Sequence, residues 1–411
     1  MTDFELSRLL VSLVTLLSFA LALGQVFEVL KMPRVIGEIA SGLLLGPSVL
    51  GALAPEVYRW LFVAFGDQQK MLSVFYWLGL ILLMFSAGFK ISAAFQKEDR
   101  TLMLMLIAGG VLTPGMFGYF AAGLFPAHPS ASPLAFALVV AVGAAVTSIP
   151  VITKIYIDLK IDTSRFARVT LTSAAIQDLI LWTVLSIALA IQQHGAVNGA
   201  DLAKIIAATI GFSVLILLLA PRLVHFAGRL VIGGVPRESL LGYTLAICLV
   251  LVIMASVFHV NIVIGALLAG LVIGKFRSEQ MSNVKAAISA VTLWFFVPIY
   301  FAMVGLQLDL GSHFDLSMVA LFLVSTSVVK IASVVLAIGG RCCTWKEALD
   351  FGLVMNTRGG PGIVLASVAY AASIIGPEMF VALVLSSILT SLLAGAWLRH
   401  RISQDVHAYS G

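Results

Sequence analysis

A single carboxylate inside a long apolar segment is the first feature of this sequence that could do chemistry. Asp178 follows Gln177 in the segment 166–191, and apolar residues continue for a full turn or more beyond it. A charged side chain at the centre of a bilayer costs about 3 kcal/mol, so it is kept where it has a role. Burial favours the protonated form of a carboxyl group, whereas a bound metal ion favours the ionised form. Asp178 is therefore predicted to bind a proton and a metal cation in competition.

Two cationic side chains also fall inside predicted spans. Lys330 lies in the segment 317–338, where it is the expected partner of Asp178 or else extends to an interface. Arg358 lies in the segment 347–370, and its guanidinium group is expected to bind free backbone carbonyls and the negative C-terminal ends of helices.

Helix-breaking residues interrupt two of the apolar segments. In the segment 134–155, Pro150 follows Thr147 and Ser148, and proline removes a backbone donor and disrupts the preceding turn. In the segment 347–370 the breakers are Gly359, Gly360 and Pro361. Transporters built from inverted repeats place their ion sites where paired spans break near the middle of the membrane. We therefore predict two broken helices and an ion site between them.

The composition indicates the class of protein that carries these residues. Hydrophobic residues make up 60% of the 411 positions and charged residues 11%, and the mean hydropathy is +1.07. A spanning helix needs about 20 apolar residues, so the chain has room for about thirteen spans. The predicted segments are 6–30, 35–50, 72–90, 101–122, 134–155, 166–191, 203–224, 238–258, 260–275, 289–306, 317–338, 347–370 and 378–398. The predicted fold is an all-α polytopic membrane protein.

Internal repetition and charge predict the topology. Glycines at positions 37, 42 and 46 recur with the same spacing at 265, 270 and 274, seven spans later, which predicts inverted repeats at about 6–191 and 238–398 joined by a linker helix near 203–224. Most of the 25 Lys and Arg residues fall in loops that would share one side of the membrane. The positive-inside rule then predicts an N terminus outside and a C terminus in the cytoplasm.

Several functional classes are disfavoured. The three cysteines form no C-x-x-C pair, so a zinc site or a structural disulfide is not expected, and the basic residues lie in short loops rather than on a nucleic-acid-binding face. With no phosphate-binding loop or nucleophile triad, we expect neither an enzyme nor a resident cofactor. Two alternatives stay open: a channel with Asp178 as a selectivity charge, and a transporter of organic cations, since Trp182 lies one turn from Asp178.

Taken together, the motifs resemble the second group of monovalent cation/proton antiporters, which includes bacterial sodium/proton antiporters and the membrane domain of potassium efflux antiporters. The resemblance covers almost the whole chain. It is carried by 33–47, 83–88, Thr147-Ser148-x-Pro150, Gln177-Asp178, Lys330 and Arg358-Gly359.

The resemblance implies a homodimer in the bacterial inner membrane, in which spans 4 to 6 and 11 to 13 form a core that moves as an elevator. It matches Asp178 to the ion-binding aspartate, Lys330 to the core lysine, and Thr147 and Ser148 to the broken-helix positions that line the ion site. Gln177 occupies the position that is Asp in electrogenic members, which implies electroneutral exchange of one proton for Na⁺, K⁺ or Li⁺.

The sequence departs from the family pattern in two places. Gly360 stands where many relatives have Glu after Arg-Gly, so Arg358 is expected to find its partner elsewhere. The chain also ends about a dozen residues after its last span, so no soluble regulatory domain is expected.

Overall fold

Helices make up nearly all of the described structure, which is a computed structural model. The described residues are 2–30, 32–63, 68–90, 99–161, 164–194, 200, 203–204, 207, 210–212, 214–216, 218, 239–258, 262–276 and 278–404. In chain order the helices are α1 (Asp3–Val29), α2 (Arg34–Leu45), α3 (Leu50–Leu53), α4 (Pro55–Phe62), α5 (Gln68–Lys90), α6 (Arg100–Ile107), α7 (Thr113–Ala121), α8 (Pro133–Ala145), α9 (Ile149–Asp158), α10 (Arg165–His194), α11 (Leu240–Val257), α12 (Ile262–Gly274), α13 (Glu279–Val291), α14 (Val297–Leu306), α15 (Leu310–His313), α16 (Leu316–Ile338), α17 (Trp345–Met355), α18 (Gly359–Ala371) and α19 (Pro377–Gln404). The all-α prediction is confirmed.

Nine helical segments within the described residues are long and apolar enough to cross a membrane. Two shorter apolar helices, Pro133–Ala145 and Gly265–Gly274, accompany them. Helix bounds agree with most of the predicted spans to within a few residues. Much of the predicted linker helix near 203–224 lies outside the described residues, so the number thirteen stays a prediction.

The tenth span begins earlier than the sequence predicted. A continuous apolar helical segment runs over Glu279–Leu306, whereas the prediction began at residue 289. Ser278 starts it as an N-cap, because its hydroxyl accepts a hydrogen bond from Met281 N at 3.3 Å. Lys285, which falls between the predicted spans 260–275 and 289–306, lies in this helix and donates to Phe276 O at 2.8 Å. A long side chain can reach a polar partner from within a helix, so its charge did not mark a loop.

The chain folds as two compact units. The first comprises Met1–Ser92 and Val197–Asp309, and the second comprises Ala93–Ala196 and Leu310–Gly411. The second unit therefore contains spans 4 to 6 and 11 to 13, the six spans that the family resemblance assigns to a core. Every residue predicted for the ion site belongs to it.

Glycines pack the helices of the first unit together. A Cβ atom on Gly42 of α2 would collide with Ala302 O and would lie 2.8 Å from Gly305 Cα. A Cβ atom on Gly270 of α12 would likewise lie 2.8 Å from Gly88 Cα. Small residues let membrane helices approach closely. Gly42 and Gly270, which the repeated glycine spacing pairs with each other, thus both lie at close helix contacts, and the inverted repeat stays a prediction.

Glu38 occupies a separate place in the first unit. Its buried carboxylate accepts a hydrogen bond from Arg34 Nε at 3.1 Å, one helical turn earlier. The Arg34 guanidinium group in turn stacks over the Trp294 ring at 4.3 Å. Glu38 is thus ion-paired within its own helix, α2.

We expect Gly42→Ala to destabilise the protein by about 1–3 kcal/mol, because the added methyl group has no space between α2 and α14. Gly242→Ala is the matched control, since a Cβ atom at Gly242 meets nothing within 4 Å. Thermal unfolding in detergent measures both variants. Equal melting temperatures for the two would contradict this packing.

Candidate ion-binding site

Two broken helices of the second unit meet at their breaks. The first break separates α8 from α9, and the second separates α17 from α18. Ser148 N donates a hydrogen bond to Thr357 O at 2.6 Å. Thr147 Oγ1 contacts Met355 O at 2.8 Å. Each break thus supplies hydrogen-bond partners to the backbone of the other, which is how irregular backbone is tolerated at membrane depth.

The predicted helix-breaking prolines lie at the start of short helices. They do not kink continuous helices. Pro150 is the second residue of α9, and Pro361 is the third residue of α18. The first turn of a helix tolerates proline because its N–H groups have no intrahelical acceptor. Gly359 has a φ of +41°, and a Cβ atom there would lie 2.6 Å from Ser148 Oγ. A glycine is therefore needed where the two breaks touch.

The Lys330 ammonium group donates hydrogen bonds to residues at the first break. Its Nζ atom donates hydrogen bonds to Ala145 O at 2.6 Å, Val146 O at 2.7 Å and Thr147 Oγ1 at 2.8 Å. An ammonium group has three donors, so all of them are used. The acceptors lie at the C-terminal end of α8, where carbonyls lack helical partners and the helix dipole is negative.

Gln177 extends this network. Thr147 Oγ1 lies 3.0 Å from Gln177 Oε1, so the threonine hydroxyl accepts from Lys330 and can donate to Gln177 or to Met355 O. At its other end, Gln177 Nε2 donates to Leu106 O at 3.0 Å. Gln177 is thus linked to Lys330 through the hydroxyl of Thr147.

Asp178 lies next to this network without joining it. Its side chain is 7% exposed, and Oδ1 is buried with no hydrogen-bond partner. Within the described part of the chain Asp178 makes no ion pair, and the Lys330 ammonium group donates to other acceptors. The predicted pairing of the two residues is therefore not a direct contact. A buried carboxylate oxygen with no partner is free to bind a proton or a cation.

Arg358 does not have its predicted partners. Its Nη2 atom donates to Thr326 Oγ1 at 2.5 Å, and its guanidinium group lies 5.2 Å from the centre of the Phe322 ring. Nε and Nη1 are buried without hydrogen-bond partners. The prediction that Arg358 binds the free carbonyls is wrong, because the α16 helix places Lys330 at those carbonyls.

Besides the Ser148 hydroxyl, which the sequence predicted for the ion site, further side-chain oxygens of the second unit are buried without hydrogen-bond partners and were not chosen from the sequence. They belong to Ser173, Asn356 and Thr357. Asn356 and Thr357 immediately precede Arg358 in the predicted break, so their position in an interrupted helix was a usable signal. Ser173 had no comparable signal, since serine is common in membrane helices.

The family to which the chain belongs follows from comparison with known proteins. The family described as "Sodium/hydrogen exchanger, transmembrane" matches residues 13–402. This chain is a member of that family. The exchanger is thus a multi-pass membrane transporter rather than an enzyme, as the sequence predicted, and the resemblance to cation/proton antiporters is confirmed.

Individual relatives have low sequence identity to the exchanger but match most of its length. The Na(+)/H(+) antiporter NhaS4 of Synechocystis sp. is 24% identical over 396 residues, which cover 94% of this chain and 95% of that one. Cation/H(+) antiporter 19 of Arabidopsis thaliana is 25% identical over 402 residues. The exchanger spans about half the length of that plant relative, with 49% of it covered.

A solved structure shows the same fold. The sodium proton antiporter MjNhaP1 from Methanocaldococcus jannaschii superimposes with a TM-score of 0.63 at 16% identity, covering 96% of the exchanger and 97% of that chain. At this identity the likeness concerns the fold alone. The predicted sodium/proton antiporter fold is confirmed.

We expect Ser148→Ala and Thr147→Val to have different effects. The Ser148 hydroxyl has no partner, so its loss should raise the apparent KM for the cation with little change in stability. Thr147→Val removes hydrogen bonds to Lys330 and Gln177 and should destabilise the protein by about 1–3 kcal/mol. Cation-dependent exchange in proteoliposomes and thermal unfolding measure the two quantities. An unchanged KM in Ser148→Ala would remove Ser148 from the ion site.

Proposed function

We propose that this exchanger moves a monovalent metal cation against protons, and that both bind in turn to Asp178. The observation that carries the proposal is the buried Asp178 Oδ1 atom, which has no hydrogen-bond partner. The relatives named as Na(+)/H(+) and K(+)/H(+) antiporters support this activity. No resident cofactor is required.

The state of Lys330 supports the assignment of Asp178. All three N–H donors of the ammonium group are held by Ala145 O, Val146 O and Thr147 Oγ1. The ammonium group therefore does not occupy the carboxylate, which stays available to an ion. Its positive charge nevertheless acts on Asp178 at longer range and opposes the binding of a second cation.

Oxygen ligands for a cation are close to the breaks. The Ser148 and Thr357 hydroxyls and the Asn356 side-chain oxygen are buried without partners, and Ser148 N is bonded to Thr357 O. Neutral hydroxyl and carbonyl oxygens with one carboxylate suit Na⁺, K⁺ or Li⁺ better than a divalent ion, which favours several carboxylates. Among the described residues no group of three or more His, Cys, Asp or Glu side chains could hold a metal.

Competition at one carboxylate gives coupled exchange. A proton or a monovalent cation neutralises Asp178, whereas the empty carboxylate carries a charge that is costly to move across the membrane interior. We propose that the loaded second unit moves as an elevator and that one proton crosses for each cation. We further propose a homodimer in a bacterial inner membrane, with the N terminus outside and the C terminus in the cytoplasm.

The central prediction is that Asp178→Asn abolishes cation-dependent proton flux, because the amide keeps the shape but neither titrates nor neutralises a cation. Glu56→Gln, the same chemical change at an exposed position, should retain full flux. Proteoliposomes with an imposed pH gradient and an internal pH dye measure both while Na⁺, Li⁺, K⁺ and Rb⁺ are added in turn. Near-normal exchange by Asp178→Asn would refute the proposal.

Exchange should also be electroneutral, because Gln177, the residue before Asp178, cannot titrate and so supplies no second carboxylate for the cycle. Proteoliposomes adsorbed on a supported membrane should therefore give no steady current when the transported cation is added. An imposed membrane potential should leave the exchange rate unchanged. A steady current that disappears in Lys330→Gln would show instead that the lysine carries a second proton.

A further inference from the structure

A π-helical turn interrupts the fourth span beside the candidate site. Residues Ala108–Leu112 form this turn, which connects α6 to α7 in the second unit. Relative to an α-helix, a π-turn contains one extra residue and displaces the i→i−4 hydrogen bonds. Carbonyls at such a turn become accessible to side-chain donors.

Side chains from two other helices donate to one carbonyl in this turn and to one just before it. Gln177 of α10 donates through Nε2 to Leu106 O at 3.0 Å. Ser333 of α16 donates through Oγ to Gly109 O at 2.6 Å. Gln177 directly precedes Asp178, and Ser333 lies one turn after Lys330. The turn is therefore attached to both helices that carry the buried charges of the exchange site.

The absence of a side chain at Gly110 leaves room for the hydrogen bond from Gln177 to Leu106 O. A Cβ atom at Gly110 would lie 2.5 Å from Gln177 Nε2, 3.2 Å from Cδ and 3.4 Å from Oε1. Gly110 does not have a positive φ, which the described glycines show at Gly340 and Gly359. The requirement for glycine here is thus one of space: any side chain would displace the amide group of Gln177.

The amide group of Gln177 has a single satisfactory orientation. Its N–H group must face Leu106 O and its carbonyl oxygen must face the Thr147 hydroxyl, since the reverse would oppose two acceptors. These two hydrogen bonds connect residue 177 of α10 to α6 and to the first helix break. They restrain α10 at the residue that directly precedes Asp178.

We propose that Gly110 and the π-turn are positioning elements that set the cation affinity of Asp178 through the amide group of Gln177. The proposal rests on the proposed function, because it takes Asp178 as the ion-binding group. Gly110 touches neither ion nor proton. Its effect is expected on apparent KM more than on maximal rate.

Gly110→Ala should raise the apparent KM for the transported cation about tenfold, the equivalent of losing one well-made hydrogen bond. Gly115→Ala is the matched control, because it makes the same change in α7 where a Cβ atom meets nothing within 4 Å. Its KM should stay within about twofold of the parent. The measurement is the concentration dependence of Na⁺-, Li⁺- and K⁺-driven proton flux in proteoliposomes. Equal KM values for the two variants would overturn the proposal.

A double-mutant cycle separates positioning from general destabilisation. In a Gln177→Ala background the colliding amide is gone, so Gly110→Ala should have no further effect on KM. An additional increase of the same size in that background would mean that Gly110 acts by another route, and would overturn the proposal.

Gln177→Met provides a second test if Gly110→Ala does not fold. Methionine has a similar length but neither holds Leu106 O nor accepts from Thr147 as an amide does, so it should raise KM by a similar factor. An unchanged KM would overturn the proposal. Asp178→Asn keeps the two hypotheses distinct: its inactivity together with a normal KM in Gly110→Ala and Gln177→Met would reject the positioning role while leaving the proposed function intact.

Discussion

The hydrogen bonds from Lys330 to the end of α8 are the interaction on which the rest of the candidate ion site depends. A helix that stops inside a membrane leaves carbonyls that lipid cannot satisfy. The ammonium group binds two of them and the Thr147 hydroxyl, and its positive charge offsets the negative end of the helix dipole. With α8 ended there, Thr147 can reach Gln177 and Ser148 N can reach Thr357 O. The Lys330 ammonium group therefore stabilises the break in this helix.

Some polar groups of the site are engaged in hydrogen bonds, and others are free of any hydrogen-bond partner. Lys330, Thr147 and Gln177 are engaged with one another or with backbone. Asp178 Oδ1 and the Ser148 hydroxyl are buried without partners. Buried polar groups without partners are rare in folded proteins, and a ligand is one accepted explanation. The engaged groups give the site its shape, and the free groups give it the capacity to bind.

Both units contain closely packed glycines, but in the second unit buried hydrogen bonds also join two broken helices. In the first unit, α2 packs on α14 and α5 on α12 through glycines that bring backbones into contact. In the second, broken helices are joined by buried hydrogen bonds between residues far apart in sequence. Close backbone packing makes a rigid body without polar groups. A polar network can exchange partners when a charge is added or removed, which suits the unit that carries Asp178.

The sequence by itself determined the all-α membrane fold, most helix bounds, both broken spans and the burial of Asp178. These follow from local properties of the sequence. The length of each apolar segment predicts a span, proline lacks a backbone N–H donor and so predicts a break, and a charged residue inside a span is costly enough to indicate a role. Only the tertiary structure decided which cation binds the free carbonyls. Lys330 and Arg358 were both plausible by charge, but Lys330 reaches Val146 O across 184 residues of sequence. The same holds for Gly110, whose need for space arises from an amide group on another helix. Hydrogen-bond partners between distant segments depend on how the helices pack, and periodicity along one chain does not encode a distance between two helices.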